Sequence, residues 1–315
     1  MIIKNRRIKP IVFVILAVLV LCILLCILIP KVIKTNKLHN SYEYKISIKG
    51  YSDADINKIV NLDDNIKKYI LDNEYSSVIS QIINSKYFKS NNFRDYIKYH
   101  NEYNDYEIDK IVSLVNTESY KEEYEDNIAT DITLAYTMLV NKNHYLSSEY
   151  VPDNIVKVSN WYAYEGHKLE KTAYNAFIEL FNDAKSEGLL LVLSMGYRSY
   201  KDQKSIFNAY KRDYGERYAD EVSTRPGFSE YQTGLALNIS KLYVSDDKFE
   251  KTDEFLWLEE NAYKYGFILR YPKDKEYITK YKFDSNHFRY VGKEAAFIIY
   301  NENLSLEEYY AYYIK

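Results

Sequence analysis

Chemistry concentrates in four segments of the C-terminal half. The first is Gly196-Tyr-Arg-Ser-Tyr-Lys-Asp-Gln203, and the second is Arg225-Pro-Gly-Phe-Ser-Glu-Tyr-Gln-Thr-Gly-Leu-Ala-Leu-Asn-Ile239. The third runs from Trp257 to Pro272, and the fourth is Phe283-Asp-Ser-Asn-His-Phe-Arg-Tyr-Val-Gly292. In the first, Arg198 offers a planar fork suited to a carboxylate, with Ser199 and Gln203 as polar neighbours. A structural arginine would use the same fork in an ion pair holding the loop. The histidines are His39, His100, His144, His167 and His287. No two stand at ligand-pair spacing, so spacing alone gives no metal site. There is no Gly-rich phosphate loop and no Gly-x-Ser-x-Gly elbow.

In order and spacing these segments resemble the zinc D-alanyl-D-alanine carboxypeptidases of the VanY type. The wider group includes lysostaphin-type endopeptidases and the hedgehog signalling domain. The resemblance runs from about Thr137 to the C-terminus. It includes Leu139-Val-Asn-Lys-Asn143 and Tyr150-Val-Pro152 at its start and Leu306-Glu-Glu-Tyr309 at its end. It implies that the second motif, Ser-Glu-His-Gln-Thr-Gly-Leu-Ala-Val-Asp in the family, supplies two zinc ligands. Here those positions hold Tyr231 and Asn238. It implies that the fourth motif, Glu-Pro-Trp-His, supplies a general base and a third ligand. Here those are Asp284 and His287. Arg198 matches the family's arginine near the scissile carbonyl and the substrate carboxylate. Ser199 and Gln203 match polar residues of the same motif.

The replacements weaken the implied chemistry. Zinc takes imidazole, thiolate or carboxylate donors. A phenol titrates near 10 and is neutral at pH 7. An asparagine carbonyl brings no charge to offset a dication. Asp284 is a methylene shorter than the family's glutamate, and a general base must stay within hydrogen-bond reach. The expectation is therefore a degenerate zinc site and no cofactor, with zinc only if the site works after all. Glu230 is the candidate replacement ligand.

These residues need elements to hold them. Leu189 to Met195 and Leu235 to Ile239 are short apolar runs. Phe267-Ile-Leu-Arg-Tyr271 reads as a strand ending at Pro272, and Phe288 to Val291 as another. Asp253 to Tyr265 and Glu294 to Tyr300 read as helices, and Pro226-Gly227 as a turn. Trp257, Tyr265, Phe267 and Tyr271 read as core, and Arg289 and Tyr290 as scaffold. Short strands mixed with helices give an α+β domain, with a small mostly antiparallel sheet flanked by helices.

Upstream there is a repeat. Tyr51-Ser-Asp-Ala-Asp-Ile-Asn-Lys-Ile-Val-Asn-Leu62 and Tyr103-Asn-Asp-Tyr-Glu-Ile-Asp-Lys-Ile-Val-Ser-Leu114 share seven of twelve residues at an offset of 52. In each copy an Asp near the start can cap a helix. Ile56, Ile59 and Val60, and then Ile108, Ile111 and Val112, make apolar stripes, with Val78, Ile79, Ile82 and Ile83 between them. A helical spacer is the reading, and a wall- or protein-binding module is the alternative.

Ile11 to Ile29 is an unbroken apolar run. At 1.5 Å per residue it just spans a ~30 Å hydrocarbon core. Lys4, Arg6, Arg7 and Lys9 precede it and put the N-terminus in the cytoplasm. A cleaved signal peptide would have a shorter apolar region and a small-residue site, and none follows Cys26. Cys22 and Cys26 lie inside the run, so the exported part has no disulfide or thiolate chemistry. The net charge of −3 makes no case for nucleic acid.

The expected organisation is a cytoplasmic tail (1–10), a transmembrane helix (11–30), a stalk (31–48), a helical repeat region (49–130) and a carboxypeptidase-like domain (137–315). The expected protein is a single-pass, extracytoplasmic homologue of these carboxypeptidases at peptidoglycan. It binds a stem peptide or a cell-surface protein without normal zinc catalysis. The alternatives are an active zinc D,D-carboxypeptidase or endopeptidase trimming D-Ala-D-Ala stem peptides, and a plain structural spacer.

Overall fold

The computed structural model describes residues 10–243 and 245–315. Lys4, Arg6, Arg7 and Lys9 of the expected tail lie outside the described residues. Contacts divide the chain into two compact units, Met1–Asp109 and Lys110–Lys315.

In the first unit, helix α1 spans Pro10–His39. Over Ala17–His39 it reaches a mean hydropathy of 2.6, long and apolar enough to cross a membrane by length and composition. It continues through Pro30. Proline forfeits one main-chain hydrogen bond, but the residues on both sides remain helical. Helices α2 (Asp53–Ile59), α3 (Asp64–Asp72), α4 (Ser77–Asn84) and α5 (Phe93–Glu102) follow. Ile56, Ile59, Ile79, Ile82 and Ile83 are buried, as their helical spacing requires. The cap of α2 is Ser52 and not an aspartate. Asp55 completes a capping box, its carboxylate accepting from the Ser52 backbone. Asp55 is buried because it does a second job. Its other oxygen accepts from Ser80 and Asn84, both at 2.7 Å, and so ties α2 to α4. The division between the units falls within the second copy of the repeat, inside α6 (Ile108–Asn116).

The second unit is built on a four-stranded antiparallel sheet. Its strands are β1 (Leu191–Met195), β2 (Ala236–Lys241), β3 (Phe267–Tyr271) and β4 (Asp284–Tyr290), in the order β1-β2-β4-β3. The α+β expectation holds. Helix α7 (Lys171–Ser186) lays Ala173, Phe177, Leu180 and Ala184 against Leu193, Leu237, Phe267 and Phe288. That i, i+4, i+7, i+11 stripe is the apolar face of a surface helix. Helices α8 (Tyr200–Tyr214), α9 (Glu216–Val222), α10 (Asp253–Asn261) and α11 (Lys293–Asn301) complete the frame. The last strand begins at Asp284, four residues before the expected start. Polar side chains at its head hide it from apolar patterning. They fit because neighbours satisfy them, as where Asn286 donates to the Ile239 carbonyl at 2.8 Å.

Beneath this sheet lies a buried charge cluster. Arg270 on β3 and Arg289 on β4 are fully buried. One oxygen of Glu230 accepts from Arg270 Nε at 2.8 Å and from Arg289 Nη1 at 2.7 Å. Arg270 also grips both oxygens of Glu307, at 2.9 and 2.7 Å. Arg289 donates to the Tyr136 and Met138 carbonyls. Two cations meet two anions, and each guanidinium nitrogen has a partner, while the second Glu230 oxygen has no hydrogen bond. A buried pair survives when most of its hydrogen bonds are satisfied.

Burial alone pushes the Glu230 carboxyl up, but the two guanidiniums outweigh it and hold Glu230 well below the usual carboxylate range. A depressed folded value gives stability that is complete above the unfolded value near 4.3 and drains away as pH falls through the folded value. Glu230→Gln is expected to cost about 3–5 kcal/mol at pH 7. It should also flatten the acid side of the stability curve. Urea unfolding of both proteins at several pH values between neutrality and strong acid checks both effects.

Candidate ligand-binding cleft

The second motif turns tightly. Glu230–Thr233 form one 3₁₀ turn, closed by Gly234 at φ 71°. A Cβ there would lie 2.5 Å from Ile155 Cδ1 and 3.1 Å from the Glu170 nitrogen, so only glycine fits. Thr233 Oγ1 braces the turn by donating to the Glu230 carbonyl and accepting from Leu235 N. One oxygen of Glu230 goes to the arginines, and both Glu230 and Tyr231 line a cleft.

The cleft has a volume of about 830 Å³, and Arg198, Tyr231, Tyr271, Asp284 and His287 are among its walls. Strand register sets its floor. Asn238 on β2 stands directly opposite His287 on β4 and opposite Met195 on β1. The Tyr231 hydroxyl donates to Asn238 Oδ1 at 2.6 Å and lies 3.2 Å from His287 Nδ1. The phenol oxygen therefore stands between the other two residues of the implied ligand set. Burial first, and then the Asp284 carboxylate, push the Tyr231 hydroxyl far above its ordinary value, so it is a neutral phenol. His287 Nε2 faces the second Glu230 oxygen at 3.5 Å, and Tyr271 packs edge-on against the ring at 4.8 Å.

Among the described residues, Arg198 has no ion-pair partner. Its backbone N–H donates to the Tyr231 carbonyl at 3.1 Å, which ties the first motif to the second. Its guanidinium lies 4.9 Å from the Tyr231 ring centroid and donates to Gln203 Oε1 at 2.8 Å and to Met195 Sδ. Gln203 is 1% exposed and is anchored in turn to Ser223 and to the Thr224 carbonyl. It positions the arginine. Ser199 caps α8 through Asp202 and is not among the cleft-lining residues. Asp284 does line the cleft. One of its oxygens accepts from Asn286 N at 2.9 Å.

The structure thus brings Arg198, Tyr231, Asn238, Asp284 and His287 together, with Gln203 behind them and Ser199 aside. Tyr271 is buried as core, and it also lines the cleft. Sequence reasoning missed Arg270. Its signal was a charge inside the apolar strand Phe267–Tyr271. As donors these residues do not fit zinc. The set is one imidazole, one neutral phenol and one neutral amide, already hydrogen-bonded to each other. Glu230, the candidate replacement ligand, gives one oxygen to both arginines, and its other oxygen faces His287 Nε2 at 3.5 Å.

Comparison with known proteins places this geometry. The family profile described as VanY, D-alanyl-D-alanine carboxypeptidase, matches residues 166–293. YodJ of Bacillus subtilis (strain 168), whose name assigns it provisionally to the carboxypeptidases, is 44% identical over 179 residues. That match covers 55% of this chain and 66% of YodJ. The bifunctional D-Ala-D-Ala dipeptidase and D-Ala-D-Ala carboxypeptidase VanXYC of Enterococcus gallinarum is 30% identical over 181 residues, covering 55% of this chain and 93% of that protein. The solved structure of the LdcB LD-carboxypeptidase, described as revealing the basis of peptidoglycan recognition, superposes with a TM-score of 0.56 at 38% identity. It covers 61% of this chain and 92% of that one. The chain belongs to the VanY D-alanyl-D-alanine carboxypeptidase family. It spans between 57% and 66% of the length of three of its curated relatives.

Tyr231→Phe strips a partner from both Asn238 and His287 inside the protein. The expected cost is about 1–3 kcal/mol. A lower urea midpoint at unchanged slope would show it.

Proposed function

We propose that this protein is a membrane-anchored, extracytoplasmic family member that binds D-Ala-ended peptidoglycan stem peptides and does not hydrolyse them through zinc. One observation carries the reading. The Tyr231 hydroxyl, bonded to Asn238 and near His287, occupies the space between the residues a metal would need. Without such a metal, no bound water is brought toward a pKa near 7 and no Lewis acid polarises the scissile carbonyl. Asp284 remains as a carboxylate with no activated water to serve.

Other features support retained binding. Arg198 keeps its place in the cleft, braced by the buried Gln203, and its remaining donors suit a peptide carboxylate. The relatives' names specify D-Ala-D-Ala carboxypeptidases, and LdcB is described in terms of peptidoglycan recognition. The apolar helix α1 supports anchoring with the C-terminal unit outside. The helices after it serve as a spacer that carries the cleft toward the wall.

Two measurements test this. Metal analysis of the purified protein is expected to find far less than one zinc per chain. Tyr231→His combined with Asn238→Asp is expected to raise the content to one. Stoichiometric zinc in the natural protein that disappears in His287→Ala would overturn the reading in favour of an active peptidase. Calorimetry with a peptide ending in D-Ala-D-Ala is expected to show binding that weakens at least tenfold in Arg198→Met. Absence of heat at millimolar peptide would exclude the wall-peptide ligand and leave a protein partner.

A further inference from the structure

Beside the cleft stands a group of exposed aromatic rings outside the hydrophobic core. Tyr210 and Tyr214 stand one helical turn apart on α8, and Tyr218 lies on α9. Gly215, at φ 90°, breaks the helix between them and turns the chain back. The Tyr218 ring thereby lies 6.2 Å from Tyr210 and 4.8 Å from Tyr214, centroid to centroid. The three rings form one continuous row. Tyr210 lines the cleft, so the row starts at its rim. Their exposures are 37%, 66% and 41%, and none belongs to the hydrophobic core of the unit. Among the described residues, no hydroxyl of the three has a hydrogen-bond partner.

The charges around the row narrow the choice of ligand. Every charged residue from 211 to 221 is already paired. Lys211 meets Glu216 at 3.0 Å, Arg212 meets Asp213 at 2.7 Å, and Arg217 meets Glu221 at 3.3 Å. Asp220 is held by Arg225 at 2.8 Å. Between residues 211 and 221 the row's surroundings offer no unpaired cation for a phosphate polymer and no unpaired anion for a basic peptide. It offers apolar ring faces with free phenolic hydroxyls at their edges. Such amphipathic rings suit a ligand with an apolar face and a hydrogen-bonding rim. A pyranose has that character, with C–H bonds on its faces and hydroxyls around its edge. An exposed apolar patch beside a cleft marks an interaction surface.

We propose that Tyr210, Tyr214 and Tyr218 form a saccharide-stacking subsite for the neutral glycan backbone of peptidoglycan. The choice of glycan rests on the wall-peptide reading, since a stem peptide seated in the cleft hangs from a strand that passes this rim. Arg198 and its neighbours hold the peptide, and the tyrosines hold the sugars.

The test uses the full chain in detergent micelles and two probes. One is a neutral, peptide-free tetramer of β-1,4-linked N-acetylglucosamine, and the other is a peptide ending in D-Ala-D-Ala. Calorimetry is expected to show the tetramer binding at millimolar concentration or tighter. Tyr214→Ala with Tyr218→Ala should weaken it at least tenfold, with peptide affinity and melting temperature unchanged. Tyr214→Phe with Tyr218→Trp should retain it. No tetramer binding, or binding that survives the alanine pair, overturns the subsite. If the tetramer binds through the tyrosines and the peptide does not bind at all, the subsite stands and the wall-peptide reading falls. If only the peptide binds, the reverse holds.

Discussion

The second unit depends on one buried carboxylate. Glu230 joins two adjacent strands of the sheet, β3 at its edge and β4 beside it, to the turn that carries the ligand positions. Its oxygen takes a hydrogen bond from Arg270 on β3 and another from Arg289 on β4. Arg270 extends the linkage to Glu307 near the C-terminus. Buried ions are costly unless they are paired, so removing any one of these partners leaves an uncompensated charge. That linkage fixes where the next residue, Tyr231, can point.

The cleft above it combines retention and replacement. The supports are in place: Gln203 braces Arg198, Thr233 and Gly234 shape the turn, and Asn286 ties the head of β4 to β2. The replacements fall at positions where the family resemblance implies metal chemistry. They are mutually compatible, because a phenol can donate to an amide oxygen while meeting an imidazole nitrogen. A histidine changed to a small apolar residue would have left Asn238 and His287 unsatisfied inside the protein, which is costly. Tyrosine avoids that cost. The three side chains therefore form a hydrogen-bonded set, while His287 Nε2 and the second Glu230 oxygen face each other at 3.5 Å without a hydrogen bond.

The helix hairpin beside the cleft obeys a different rule. Around its bend, from Lys211 to Glu221, its charges neutralise one another in pairs exposed to water, where such pairs contribute little to stability. Their effect is on the character of the surface. They leave the tyrosine row as the one feature of the hairpin that neither folding nor solubility explains.

Much of this was legible in the residue order. The apolar run Ile11–Ile29, the stripes of the repeat, and the strand Phe267–Tyr271 follow from periodicity, because burial of one face is a local pattern. The residue types at Tyr231, Asn238 and His287 already spoke against zinc, because donor chemistry belongs to the side chain. Sequence alone could not show that the Tyr231 hydroxyl sits between the other two. His287 is 56 residues from Tyr231, and they meet only because β2 and β4 pair in one register. Nor could it show that Glu230 clamps Arg270 and Arg289, or that β4 begins at Asp284. Those depend on which charges the folded chain buries together, and that is decided by long-range packing.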